Sequence, residues 1–348
     1  MTTVLAVLSA AVTVLYALSA LARLVPVKRR HYRWGQFGGM LASTLLVVGL
    51  ASCAYVAVRG ATAPRDTAEA RAPVALRHDV LPTGVFAPGE WDSWSPVKRF
   101  GQETGRPVHY VLDYMGPDEA FPARLGALAA AHHAEPVLQM EPTMSMAGIA
   151  AGHDDSYLRD LSRQVSGYGH PLVLSFAPEA NGNWYSWGWS HTPAAQWVAA
   201  WRHVVTVFRQ QHVRNVTWMW TVNVPFPASG PVSDYWPGAA YVGMIGIDGY
   251  FVHSSDTFNS VFGPIVDQIR SLTAKPLLIS ETAVGPDSGT EAGSQVRSLF
   301  AGAKAGHLAG LIWFDQAQHG SAYHQDWRLE DNPAALAAFR AAAKEHGQ

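Results

Sequence analysis

Eight short apolar runs recur along roughly the last three quarters of this chain, and their rhythm leaves few folds open. They lie at 83–87, 108–114, 136–140, 172–177, 216–222, 241–250, 276–280 and 310–314. The spacing of about 30 residues is that of one βα unit. Most runs are continuous rather than alternating, as expected for parallel strands covered on both faces. Helix starts fall between them. Ser95-Pro96, Thr192-Pro193 and Asn332-Pro333 each predict an N-cap residue followed by Pro at the first helical position. Residues 194–211 and 334–345 have clear helical composition. The pattern predicts an α/β fold, a (β/α)8 TIM barrel over 79–348. An open doubly wound sheet is the runner-up, but it would want a Gly-rich phosphate loop after its first strand, and no GxGxxG occurs.

Composition narrows the partners. Hydrophobic residues make up 48% and charged residues 15%, against roughly 25% charge in ordinary soluble domains. The net charge is −2. This excludes a disordered chain and a nucleic-acid binder that depends on a basic field. A single cysteine excludes an intramolecular disulfide framework and any zinc site built on two thiolates.

Part of the apolar excess sits at the N-terminus. From Thr2 to Val25 the only charge is Arg23, and from Phe37 to Val58 there is none. Each run is long enough to cross a bilayer core of about 30 Å, which predicts two transmembrane helices forming a hairpin over 1–58. Between them lie Lys28, Arg29, Arg30, His31 and Arg33 with no acid. The positive-inside rule therefore puts the loop in the cytoplasm and both termini outside. Leu50-Ala51-Ser52-Cys53 resembles a lipoprotein cleavage box, but the apolar run continues through Ala54 to Val58, which favours an ordinary membrane helix. Residues 59–78, rich in Ala, Pro and Arg, are expected to be a linker. The expected location is the cell membrane, two-pass, with the barrel extracellular. The anchor does not explain the 13 Trp, as many as the Phe: only Trp34 lies in it, and the others follow residue 80.

In a barrel of this kind the chemistry sits at the C-terminal strand ends. The fourth run leads into Pro178-Glu179-Ala180-Asn181-Gly182-Asn183-Trp184-Tyr185-Ser186-Trp187-Gly188-Trp189. The seventh ends Ser280-Glu281-Thr282, and Glu141 follows the third. Glu179 and Glu281 can face each other across the mouth. Two carboxylates flanking a sugar are what glycoside hydrolysis needs. The Trp cluster offers flat apolar faces to pyranose rings, although each Trp alone could equally be a packing plug.

Segment 176–188 resembles the acid/base motif of glycoside hydrolase family 26, a (β/α)8 family of β-mannanases and mixed-linkage β-glucanases. Val242-Gly243-Met244-Ile245-Gly246-Ile247-Asp248-Gly249-Tyr250 resembles its sixth strand, and Ile279-Ser280-Glu281-Thr282 its nucleophile strand. Leu311-Ile312-Trp313-Phe314, then Asp326-Trp327-Arg328, resembles its C-terminal end. The resemblance implies a retaining double displacement with Glu179 as acid/base and Glu281 as nucleophile. It also implies that Tyr250 lies near the nucleophile, that Asp248 lines the cleft, and that Trp184 and Trp313 carry sugar rings. Trp187, Asn181 and Glu141 complete the expected substrate-binding set. The family usually has His immediately before the acid/base Glu, and here Pro178 stands there. Mannan and mixed-linkage β-1,3-1,4-glucan therefore both stand as substrates.

No cofactor and no metal are expected. No HExxH, nucleophile elbow or P-loop occurs, His132 and His133 diverge on a helix, and His319 and His324 fall in a loop. Asn215-Val216-Thr217 fits a glycosylation acceptor but opens a strand. Segment 282–294 is expected to be a mobile loop. The competing reading is a non-catalytic carbohydrate-binding subunit of a membrane polysaccharide synthesis or export complex, with a membrane glycosyltransferase as partner. The intact pair of glutamates argues against it.

Overall fold

The structure is a computed structural model that describes residues 80–317 and 325–344. The two apolar N-terminal runs, the linker, Cys53, His319 and His324 lie outside the described residues. Among the described residues no helix is long and apolar enough to cross a membrane.

Eight parallel strands close into a barrel in chain order. They are β1 (Thr83–Phe86), β2 (Tyr110–Met115), β3 (Glu135–Met140), β4 (Leu172–Phe176), β5 (Val216–Asn223), β6 (Met244–Asp248), β7 (Leu277–Thr282) and β8 (Gly310–Phe314). Closure is made by β1 against β8, with Thr83 opposite Leu311 and Phe86 opposite Phe314. The helices are α1 (Ser95–Thr104), α2 (Ala123–Ala131), α3 (Met146–Ala150), α4 (Asp155–Tyr168), α5 (Ala194–Gln210), α6 (Phe258–Val261), α7 (Gly263–Leu272), α8 (Ala292–Ala305) and α9 (Pro333–Lys344). Each of the eight apolar runs became a strand. The sixth is shorter than its run, because Tyr241-Val242-Gly243 forms a turn and pairing stops at Asp248.

Two cores result from the strand alternation. The inner one fills the barrel with Tyr110, Leu112, Val137, Val173, Met219, Met244, Leu278 and Ile312. The outer one lies between strands and helices. On α5 it takes Trp197, Ala200, Trp201, Val204, Val205 and Phe208, the i, i+3, i+4 spacing of one helical face. Burial of each large side chain there contributes about 1.5–3 kcal/mol. Most Trp residues thus serve the core. Gly246 is forced by crowding inside the barrel, since a Cβ there would come within 2.6 Å of the Ser280 hydroxyl.

Only one of three expected helix caps forms as predicted. Asn332 accepts from the Ala335 N–H at 3.1 Å. Ser95 already lies inside α1, and Ser93 Oγ accepts its N–H instead. Pro193 itself occupies the cap of α5, while the Thr192 hydroxyl is spent on the Ser186 carbonyl. Asn215 donates its amide to the Val165 and His170 carbonyls, so it is not free as a glycan acceptor. Segment 282–294 is not one loop, since it includes a 3-10 helix (Pro286–Glu291) and the start of α8.

Glu90, in the β1–α1 loop, is fully buried and neither carboxylate oxygen has a hydrogen-bond partner on another residue. Desolvation, opposed by the residue's own backbone N–H and aided by Asp113, pushes its pKa up to about 8. The unfolded chain ionises Glu90 near pH 4.5 while the native state resists until about pH 8, so native stability falls as pH rises through that window. Glu90→Gln removes the penalty. Thermal melts are expected to match wild type near pH 4.5 and to show the variant more stable above pH 8 by on the order of a few kcal/mol. Equal melts at both pH values would contradict this.

Candidate active site

The strand that carries Glu179 leaves the barrel in a strained turn. Ala177 has φ 46° and Glu179 φ 53°, both left-handed, on either side of Pro178. Non-glycine residues there cost on the order of 1–3 kcal/mol each and persist only where surroundings over-determine them. Here every backbone group of the turn that can bond is held. The Ala177 N–H donates to the Met140 carbonyl at 2.9 Å and the Glu179 N–H to the Thr221 carbonyl at 3.0 Å. The Trp197 indole donates to the Ala177 carbonyl at 3.1 Å and the Trp187 indole to the Pro178 carbonyl at 2.8 Å. The Gly182 N–H donates to the Glu179 carbonyl at 2.8 Å. Pro178 has no N–H to leave unpaired.

The Glu179 carboxylate is gripped on both oxygens. Asn223, at the end of β5, donates its amide at 2.5 Å, and the Trp184 indole donates at 2.9 Å. Trp184 can fold back this way because residue 182 is Gly: a Cβ there would lie 2.4 Å from the indole ring. Burial, then the charge of Glu281, pushes the Glu179 pKa up to about 8. At neutral pH it is a protonated acid.

Glu281 faces the mouth because of a β-bulge. Leu278 points inward, so strict alternation would aim Glu281 outward. Ile279 pairs with Leu311 but Thr282 pairs with Trp313, and across β6 Ile247 pairs with Ile279 but Asp248 with Glu281. Both shifts place one extra residue on β7 at Ser280–Glu281, and such a bulge re-aims a side chain. Tyr114 then donates to Glu281 Oε1 at 2.5 Å, Gln139 to the same oxygen at 3.2 Å, and Tyr250 to Oε2 at 2.7 Å. Burial pushes the Glu281 pKa up, while these three donors pull it back toward the charged form.

The structure brings together Glu179, Glu281, Tyr250, Trp184 and Glu141 of the sequence-derived set. Glu141 accepts from the Tyr185 hydroxyl at 2.8 Å, and its charge bears on both Glu179 and Glu281. Trp184 is 46% exposed and packs beside Phe226 and Tyr185.

The other four sit differently from the expectation. Asp248 is fully buried beneath the mouth rather than lining the cleft. It accepts from the Ser280 hydroxyl at 2.6 Å, and burial with the charges of Glu281 and Glu179 holds it well above the usual carboxylate range. Asn181 is fully buried and braces Asn223, donating to its carbonyl and accepting its N–H. Trp187 is buried against Tyr185, with ring centroids 4.2 Å apart. Trp313 points outward from the barrel onto Phe339 of α9, because its neighbour Ile312 takes the inward position. Its indole donates to the Trp327 carbonyl. Phe314 and Trp327 flank Tyr250.

Tyr114, Gln139 and Asn223 were not anticipated. Alternation could have found them, since each stands two residues after an inward position: Leu112, Val137 and Thr221. Among the described residues no group of three or more His, Cys, Asp or Glu side chains is arranged to hold a metal ion.

A (β/α)8 barrel with a protonated glutamate after strand four and a multiply hydrogen-bonded one on strand seven has the equipment of a glycoside hydrolase. The family model of glycosyl hydrolase family 26 matches residues 146–329, and the chain belongs to that family. It is 27% identical over 275 residues to Endoglucanase H of Acetivibrio thermocellus, covering 73% of this chain and 29% of that one. It is 30% identical over 88 residues to the mannan endo-1,4-beta-mannosidase A and B of Caldalkalibacillus mannanilyticus, covering 23% of this chain and 17% of that one. The chain therefore spans less than a third of the length of these curated relatives. Similar folds include a modular endo-beta-1,4-mannanase from Cellulomonas fimi, with TM-score 0.55, 18% identity, and 70% of this chain and 65% of that one covered. A beta-mannanase from Bacteroides ovatus has TM-score 0.57 and 14% identity, with 78% of this chain and 90% of that one covered.

Proposed function

We propose that this protein is a retaining β-glycan hydrolase, with Glu179 as acid/base and Glu281 as nucleophile. The observation that carries the reading is the unequal treatment of the two glutamates. Glu179 is left protonated at neutral pH, and Glu281 receives three donors that favour its charge. In the first half-reaction Glu281 attacks the anomeric carbon while Glu179 gives its proton to the leaving oxygen. In the second, Glu179 takes a proton from water, which releases the sugar from Glu281. Trp184 offers a platform for a ring beside the acid.

A β-glucan is the favoured backbone over mannan. The similarity to an endoglucanase runs through most of the barrel, whereas the similarity to a mannosidase covers a short segment. Pro178 also removes the imidazole that the mannanase-type motif sets beside the sugar. Endo action remains an inference from the family. Two features of the sequence support an extracellular, membrane-anchored placement: the two long apolar runs and the basic loop between them. The test is release of reducing ends from mixed-linkage β-glucan and from mannan. Faster cleavage of the glucan is expected. Faster cleavage of mannan would overturn the choice of backbone, and cleavage of neither, with binding retained, would favour the carbohydrate-binding reading.

A further inference from the structure

Tyr250 lies just past the end of β6, and its backbone is pinned on both sides. The Gly249 N–H donates to the Glu281 carbonyl and the Phe251 N–H to the Ala283 carbonyl, both at 3.0 Å. What stays free at Tyr250 is rotation of the side chain, so the neighbours of the ring decide which rotamer is held. That rotamer matters to Glu281. Among the described residues, Oε1 has two side-chain donors, Tyr114 and Gln139, whereas Oε2 has Tyr250 alone.

Two aromatic rings hold Tyr250. Phe314, the last residue of β8, meets it edge-on, with centroids 5.9 Å apart and planes at 88°. Trp327 lies closer, at 4.7 Å with planes at 39°. Trp327 is only 1% exposed, so its ring is not offered to solvent. It is wedged: a Cβ on Gly285, in the loop after β7, would come within 3.2 Å of the indole. Trp327 thus meets residues that follow β6 and β7, the strands that deliver Tyr250 and Glu281.

The place of this ring is fixed independently, through the backbone that carries it. Asp326 forms an antiparallel bridge with Ala317, beyond the end of β8. The Trp327 N–H donates to the Gln316 carbonyl at 3.0 Å, and the Trp327 carbonyl accepts from the Trp313 indole at 2.9 Å. The Leu329 N–H donates to the buried Asp315 carboxylate at 2.8 Å. Arg328 clamps Asp326 through two nitrogens, at 2.9 and 2.5 Å.

We propose that Trp327 is a positioning residue for the nucleophile: segment 325–329 is clipped to β8 and its extension, and holds the Trp327 ring against Tyr250 so that the Tyr250 hydroxyl stays on Oε2 of Glu281. This rests on the hydrolase reading above and adds to it a residue that touches neither carboxylate. A donor on Oε2 favours the charged carboxylate, so a Tyr250 that loses its aim leaves Glu281 harder to ionise. The acid limb of activity then moves to higher pH. The other titratable groups that act on Glu281 are Tyr114 of β2, Glu141 after β3, Glu179 after β4 and Asp248 of β6. None of them is altered in the Trp327 variants.

The experiment is a double-mutant cycle on hydrolysis of β-glucan: wild type, Trp327→Leu, Tyr250→Phe and the double variant. Trp327→Leu is expected to lower kcat by about tenfold, the scale of one hydrogen bond to a charged group, with KM within about twofold. Its acid limb should rise by at least about half a pH unit. In the Tyr250→Phe background the same substitution should change kcat less than about twofold. Trp327→Phe, which keeps an aromatic wedge, should recover most of the activity, and it is run through the same cycle in case Trp327→Leu does not fold. A loss of equal size with and without the Tyr250 hydroxyl, a KM rise with kcat kept, or an unmoved acid limb overturns the proposal. The hydrolase reading is scored separately, by wild-type cleavage. If wild type cleaves and the cycle is additive, that reading stands and the role of Trp327 falls. If wild type cleaves nothing, NMR titration of the Glu281 carboxyl still decides the role: a higher pKa in the Trp327 variant supports it and an unchanged one overturns it.

Discussion

Glu281→Ala is expected to lower hydrolysis of the preferred polymer by on the order of 10⁴-fold or more, the scale seen when a covalent nucleophile is deleted. The expectation follows from the site's construction. A bulge on β7 spends one extra residue to turn this side chain into the mouth, and Tyr114, Gln139 and Tyr250 all donate to it. Among the described residues Glu179 accepts two side-chain hydrogen bonds at the mouth and Glu141 one, so neither is held toward the charged form as Glu281 is. Azide fits the space left by the side chain, and with an activated β-glycoside it should restore turnover and give the α-glycosyl azide. The variant carries a second signature. The charge of Glu281 is the second cause of the raised Glu179 pKa, after burial. In Glu281→Ala, Glu179 should titrate below its wild-type value of about 8, which NMR of a carboxyl-labelled protein would read. Retention of near-wild-type hydrolysis would mean that another group attacks the sugar.

Glu179→Ala is expected to behave differently according to the leaving group. Polymer hydrolysis should fall by about 10²–10⁴-fold, the usual worth of a positioned general acid. An aryl glycoside whose phenolate leaves without a proton should still react rapidly in the first step and then stall, giving a burst of phenolate. The pH profile sharpens the assignment. Wild-type activity needs Glu179 protonated, so it should decline as pH rises through about 8. It also needs Glu281 charged, so it should decline on the acid side, above the ordinary carboxylate range because burial raises Glu281. With the activated substrate, Glu179→Ala should lose the alkaline limb and keep the acid one. An alkaline limb that persists in the variant would assign the proton donor elsewhere.

The barrel was legible because its strands are buried on both faces, and continuous apolar runs survive as a signal without any tertiary information. The two glutamates were legible because strand ends are where such barrels place chemistry. What periodicity missed is instructive. Glu281 reaches the mouth only through an extra residue in β7, and a bulge leaves no mark on a hydrophobic pattern. Trp313 was assigned to sugar by resemblance, yet counting from inward Ile312 puts it outside, where it packs on Phe339. Trp187 and Trp197 are adjacent to the site without facing substrate. Their indoles hold the carbonyls of a turn whose two left-handed residues give no warning in sequence. Among the described residues Trp197, Trp201, Trp218, Trp220, Trp313 and Trp327 are buried in the outer core and Trp187 braces one strained loop, while Trp91, Trp184 and Trp189 stay exposed.

The account stands most directly on the stereochemical course of the reaction. Proton NMR, started at the moment enzyme is added to the β-linked polymer it cleaves fastest, reports the anomer of the newly formed reducing end before mutarotation. Two successive displacements through Glu281 should release the β anomer first, with the α anomer growing in only at the rate of mutarotation. Initial appearance of the α anomer would mean a single displacement by water, and would contradict the assignment of Glu281 as nucleophile.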